Sequence, residues 1–132
     1  MCIRDSNNSV LIPLRKNLGE PNRKFGKIGF SVPSLSKPKA GLDYRYIMII
    51  NNINYIRFDI PKISNSQIKI IENNYETIEK EAIEYIESYI RVANKGRVDR
   101  TARFKESSLI NFHRELNIVD ANNNVRYNNE KK

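Results

Sequence analysis

Five cations fall within eleven residues, Lys95, Arg97, Arg100, Arg103 and Lys105, with Asp99 the one acid among them. Such a run offers donors to phosphate oxygens, and displacing counterions from a polyanion would make the contact steeply salt-dependent. The same run can also serve as a solvated linker. A second grouping mixes aromatics and cations: Tyr44, Arg45, Tyr46, Tyr55 and Arg57 lie on two stretches expected to be neighbouring strands. Aromatic faces stack on bases and guanidinium groups pair with phosphates. Arg45, Tyr55 and Arg57 therefore join the connector cations as candidate nucleic-acid-binding residues.

Little else in the chain carries reactive chemistry. His113 is the single histidine and Cys2 the single cysteine, which argues against a Cys/His metal site. Beside Phe112, His113 reads as a surface or boundary residue of a helix, and Ser107 and Ser108 read as caps to that helix. Five glycines spread along the chain leave no phosphate-cradling loop. No catalytic residue, metal or cofactor is therefore expected. One arrangement, Asp59 followed by Gln67-Ile68-Lys69, resembles the Asp…(Glu/Gln)-x-Lys core of the restriction-type nucleases, in which acidic groups hold Mg²⁺ and the lysine assists water. Here the spacing is short, a glutamine stands for the acid, and Pro61 interrupts. An ordinary solvent-facing strand edge is the expectation.

The charge is large and uneven. The chain carries a formal net charge of +8. Residues 1–45 hold nine Lys/Arg against three Asp/Glu, residues 46–90 four against seven, and residues 91–132 ten against five. Two basic ends around a mildly acidic middle suggest a polyanion partner. The abundance of Asn and Ile is that of an AT-rich genome, as in many phages, and carries no functional weight by itself.

At 132 residues there is room for one domain with its own core. No apolar run reaches the ~18–20 residues needed to cross a bilayer, and no apolar segment of a signal peptide follows the start. A cytoplasmic location without membrane contact is expected. The opening Met1-Cys2-Ile3-Arg4-Asp5-Ser6 is what a common sequencing adapter gives when read as codons, so residues 1–6 are expected to be foreign. Residues 7–127 then form the domain, which can lack its true N-terminus, and residues 128–132 a frayed tail. With Cys2 foreign, the chain has no cysteine of its own.

The elements that must position these residues follow from periodicity. Residues 10–14 suggest a short edge strand limited by Pro13, and Gly19-Glu20-Pro21-Asn22 a turn. Ile28, Phe30 and Val32 alternate with small residues as in a half-buried strand. Residues 44–50 and 53–60 read as a hairpin turning at Asn51-Asn52, with Ile56, Phe58 and Ile60 on its apolar face. Residues 67–72 read as a third strand with Ile68 and Ile70 inward. The period then changes: Tyr75, Ile78, Ala82, Ile86, Tyr89 and Ala93 recur every three or four residues, widened by Ile83, Tyr85 and Ile90. This predicts one amphipathic helix over residues 75–95, with acids in its first turns, Arg91 and Lys95 near its end, and Gly96 as its stop. A shorter helix is expected from Ser107 or Ser108 to Leu116, and a small hairpin over residues 118–127.

The fold expected is α+β: a small antiparallel sheet of three to five strands packed on one long amphipathic helix, then a short helix and a C-terminal hairpin. Three strands followed by a helix loosely resembles both the small DNA-binding domains at the front of phage integrases and a class of small antitoxins, which marks the topology as generic. The functional expectation is a non-catalytic nucleic-acid-binding accessory protein, of phage or mobile-element origin, contacting DNA or RNA phosphates through the basic connector. The alternatives are a structural or assembly protein of a virion or oligomer, contacting a partner protein or its own copies, and a fragment of a nuclease or recombinase.

Overall fold

The computed structural model describes residues 1–5, 8–50 and 63–118. The expected Asn51-Asn52 turn, the strand at 53–60 with Tyr55, Arg57 and Asp59, the greater part of the C-terminal hairpin and the tail lie outside the described residues. What is described is α+β, with small antiparallel sheets and two α-helices, one of them long.

Strands β1 (Cys2–Asp5), β2 (Asn8–Leu11) and β8 (Met48–Ile50) form one sheet with β2 in the middle. Registers Cys2↔Leu11 and Leu11↔Met48 fix the pairing. The expected edge strand is thus central, and it is central because residues 2–5 pair along it. Pro13 lies just beyond its end, where its carbonyl accepts the Asp43 amide at 3.0 Å. A second sheet has the order β3 (Leu14–Arg15), β7 (Gly41–Asp43), β6 (Gly29–Ser31). A two-residue pair, β4 (Asn22–Arg23) and β5 (Gly26–Lys27), makes a small hairpin. At Gly41 an added Cβ would strike the Leu18 side chain and approach the Phe30 carbonyl to 2.7 Å. This position therefore needs glycine for close strand packing.

Two stretches expected as strand adopt other structure, each for a local reason. Residues 44–50 do not run extended: Tyr44–Tyr46 is a 3-10 turn, and β8 begins only at Met48. Asp43 causes this, because its carboxylate accepts the Arg45 amide at 3.0 Å and caps the turn. Residues 67–72 are helical, within α1 (Asn65–Asn73). Ser64 and Gln67 close a capping box, with the Gln67 amide N–H donating to Ser64 Oγ at 3.3 Å and the Ser64 amide to Gln67 Oε1 at 3.1 Å. The inward positions change accordingly. Gln67 is buried, Ile70 is half-buried and Ile68 is exposed, so the expected inward pair Ile68/Ile70 is overturned.

Helix α2 (Tyr75–Asn94) forms as the periodicity predicts. Its C-terminus is a Schellman motif: Gly96 has φ +64°, the Arg97 amide donates to Val92 O at 3.1 Å, and the Gly96 amide to Ala93 O at 2.9 Å. Ile78, Ala82, Tyr85, Ile86, Tyr89 and Ala93 are buried, whereas Tyr75 is exposed. They share one core with Val10, Ile12, Val32, Leu42, Tyr44, Ile47 and Ile49, and with Phe104 and Leu109 from beyond the helix. The expected short helix is a 3-10 segment, Ser108–Phe112, whose cap Ser107 accepts the Leu109 amide at 3.2 Å. His113, expected near the surface, is instead buried, with Nε2 2.6 Å from the Tyr89 hydroxyl.

Candidate nucleic-acid interface

The connector from Lys95 to Lys105 begins where the Schellman motif turns the chain off α2. It continues through a 3-10 turn, Val98–Arg100, whose preceding carbonyl, Arg97 O, accepts the Thr101 hydroxyl at 2.8 Å. The connector is anchored at its far end. Phe104 is 3 % exposed and packs edge-on against two tyrosines of α2, with centroids 5.1 Å from Tyr85 and 5.6 Å from Tyr89. Such aromatic pairs stabilise beyond the area they bury.

The five connector cations divide into two groups. Lys95, Arg97, Arg100 and Lys105 are exposed, and none forms an ion pair among the described residues. Arg103 turns inward and is only 9 % exposed. Its guanidinium donates to Glu84 at 2.8 and 3.2 Å and to the Lys27 carbonyl at 2.8 and 3.0 Å, and it lies 5.1 Å from the Tyr85 ring centroid. It also rests on Gly26 (φ +123°), where a Cβ would come within 3.0 Å of the guanidinium. All this donor capacity is engaged inside the protein. Arg103 acts as a clasp between α2 and β5, which leaves four outward cations, with Asp99 and Glu106 exposed among them.

The acids beside these cations respond as expected. The Glu84 carboxyl is held below the usual carboxylate range, chiefly by its hydrogen bonds from Arg103. Tyr44 donates to Glu81 at 2.9 Å, and Lys27 Nζ sits 2.6 Å from the other oxygen of that carboxylate. Burial first, and the Glu81 charge second, push the Tyr44 phenol far above its ordinary range. Burial pushes the Tyr85 phenol up to about 12. Both phenols are hydrogen-bonding or packing groups rather than bases at neutral pH.

The second predicted grouping is only partly assembled. Tyr44 is buried, while Tyr46 is 41 % exposed. Arg45 makes a forked pair with the fully buried Asp43, Nε to Oδ1 at 3.0 Å and Nη2 to Oδ2 at 2.8 Å. That pairing raises the Arg45 pKa against the opposing effect of burial. Arg15 completes the corner: its guanidinium stacks 4.4 Å from the Tyr46 ring centroid and lies 3.7 Å from Asp43 Oδ2. Sequence reasoning missed Arg15, and only the β3–β7 register, Arg15↔Gly41, brings it there. The buried Asp43 thus offsets much of this corner's positive charge.

Gln67 and Lys69 stand on α1, not on a strand. The Gln67 side chain is engaged, donating to Val32 O at 2.9 Å and accepting from Ser64. The nuclease-like arrangement needs both residues on a strand beside Asp59, so its residue basis is lost. Among the described residues no group of three His, Cys, Asp or Glu could hold a metal ion, and no helix is long and apolar enough to cross a membrane. No protein-family model, no curated protein and no solved structure matches this chain.

Proposed function

We propose that this chain is a non-catalytic nucleic-acid-binding accessory protein of the cytoplasm that contacts phosphates through the connector after α2. One observation carries the reading: Lys95, Arg97, Arg100 and Lys105 are exposed and unpaired among the described residues, on a segment pinned at one end by a Schellman motif and at the other by Phe104. A segment fixed at both ends loses less conformational freedom on binding than a free tail would. Four phosphate contacts imply a log–log salt slope of about −3 to −4 on duplex DNA. Fluorescence anisotropy with labelled duplex DNA, single-stranded DNA and RNA over a salt series tests the proposal. Salt-insensitive binding, or none at low salt, overturns it.

A second reading, an assembly protein, is favoured by the apolar side chains left outside. Leu35 is fully exposed at a loop tip, and Phe25, Met48 and Ile110 are each more than two-fifths exposed. Exposed apolar groups of this kind can mark association sites when they are contiguous. Sedimentation velocity separates the readings, because only an assembly protein would self-associate over a micromolar concentration series without nucleic acid.

A further inference from the structure

A cleft is walled by β3, the segment before β7, and the start of α1. Its volume is about 230 Å³, and it is lined by Leu14, Arg15, Lys16, Lys37, Ala40, Ile63 and Gln67. The fold brings these distant residues together by identifiable contacts. The register Arg15↔Gly41 sets Lys16 beside the segment ending at Ala40. The Leu18 amide donates to Lys39 O at 2.8 Å and ties the chain after Lys16 to the same segment. Gln67 ties the first turn of α1 to Val32 O, which places Ile63 and Gln67 against the same opening.

The lining has a definite chemical character. Leu14, Ala40 and Ile63 supply apolar wall. Arg15, Lys16 and Lys37 supply three cations, with no acid in the lining. Lys16 and Lys37 have no ion-pair partner among the described residues, and the one acid near Arg15 is Asp43, already forked to Arg45. The Arg15 guanidinium is engaged by Tyr46 and Asp43, which leaves Lys16 and Lys37 as the unpaired cations of the lining. The buried Gln67 amide has both ends engaged, so it offers no loose donor or acceptor inside.

We propose that this cleft binds a small organic anion: a phosphate or carboxylate head held by Lys16 and Lys37, joined to a compact apolar or aromatic body lying against Leu14, Ala40 and Ile63. The size is suitable, since an apolar cavity of about 150 Å³ admits benzene, and the extra volume accommodates a head group. Cations and apolar side chains in one lining together favour ligands that carry both features over ligands that carry one. The inference stands apart from nucleic-acid binding by the connector and can fail without it.

The test is a ¹H–¹⁵N NMR titration of the full chain with four probes: phenyl phosphate, benzoate, inorganic phosphate and neutral benzyl alcohol. Phenyl phosphate is expected to bind saturably, shifting amides of residues 14–16, 37–40 and 63–67, at least about ten-fold tighter than inorganic phosphate because the ring is also buried. The K16Q/K37Q variant is expected to weaken phenyl phosphate about ten-fold or more while keeping the unliganded spectrum. K16Q alone serves as the second variant should the double one fold poorly, with a smaller loss in the same direction. Benzoate tighter than phenyl phosphate would assign the head as carboxylate, still within the proposal. Equal affinity for phenyl phosphate and inorganic phosphate, shifts confined to residues 95–105, or an unchanged variant would overturn it.

Discussion

Two basic regions of this molecule, a corner with two arginines and a connector with five cations, differ in what lies beneath them. Under the Arg15–Arg45–Tyr46 corner sits Asp43, wholly buried, accepting from the Arg45 amide and guanidinium and lying 3.7 Å from Arg15. Under the connector lies the aromatic contact of Phe104 with Tyr85 and Tyr89, and the one cation that meets an acid there, Arg103, leaves the surface to do so. The corner therefore uses its charge to shape a turn, while the connector uses packing to hold its shape and keeps four cations outward. Formal charge counts both regions alike, but only cations with no internal partner remain for a polyanion.

The largest expected effect breaks the connector's support. Phe104→Ala should cost about 3–5 kcal/mol, as large-to-small core substitutions of this type do. Lys105→Ala next to it should be near-neutral in the same urea titration. A Phe104→Ala variant as stable as the parent would show that the connector is not anchored there.

Next in size is Asp43→Ala, which removes the turn cap and the charged acceptor together and should cost about 2–4 kcal/mol. The comparison makes a second demand on this variant. Releasing Arg45 and Arg15 from their acid should raise affinity for duplex DNA at low salt even as the melting temperature falls. Lower affinity in a still-folded variant would contradict the neutralised-corner account.

A smaller effect concerns acid. Because Arg103 holds the Glu84 carboxyl below its ordinary range in the folded chain, this group stabilises fully above the unfolded carboxylate pKa, about 4.3. Its contribution is lost as pH falls through the depressed folded value. Glu84→Gln should therefore lower the neutral plateau of the stability–pH curve and flatten its acid limb, the two proteins converging at low pH. Equal steepness in both proteins would mean that Arg103 does not hold Glu84 in solution.

The smallest expected change is deletion of residues 1–6. Met1 exchanges backbone hydrogen bonds with Ile12 at 2.8 and 3.1 Å, and Cys2–Asp5 pairs with β2, so the deletion makes β2 an edge strand. It leaves the α2 core contacts in place. Far-UV circular dichroism should keep the helical signal, with a drop of a few degrees in Tm.

How much of this was legible in the sequence varies by element. Helix α2 was, because Ile78, Ala82, Ile86, Tyr89 and Ala93 repeat at helical spacing over about four turns, and Gly96 marks the stop. Helix α1 was not: β-branched Ile68, Ile70 and Ile71 outweighed Ser64-Asn-Ser-Gln67, which is a capping-box signature. The Tyr44–Tyr46 turn is hidden in the same way, because its cap Asp43 stands beside β-prone residues. Within the site, the outward cations were legible as a charge run. The inward turn of Arg103 depends on Glu84 and the Lys27 carbonyl, 19 and 76 residues away. Only its neighbour Phe104, an aromatic in a polar stretch, hinted at an anchor. The Arg15 contribution depends on strand register, which no local pattern reveals.

The central claim is that the four outward connector cations, and not the basic corner, contact phosphate. The direct measurement is the salt dependence of duplex DNA binding by the parent chain, by R97Q/R100Q and by R15Q, each followed by anisotropy from 50 to about 200 mM salt. Removing two phosphate contacts should make the log–log slope shallower by about 2 in R97Q/R100Q, while R15Q keeps the parent slope. An R97Q/R100Q slope equal to the parent's, or a larger loss in R15Q, would contradict the account.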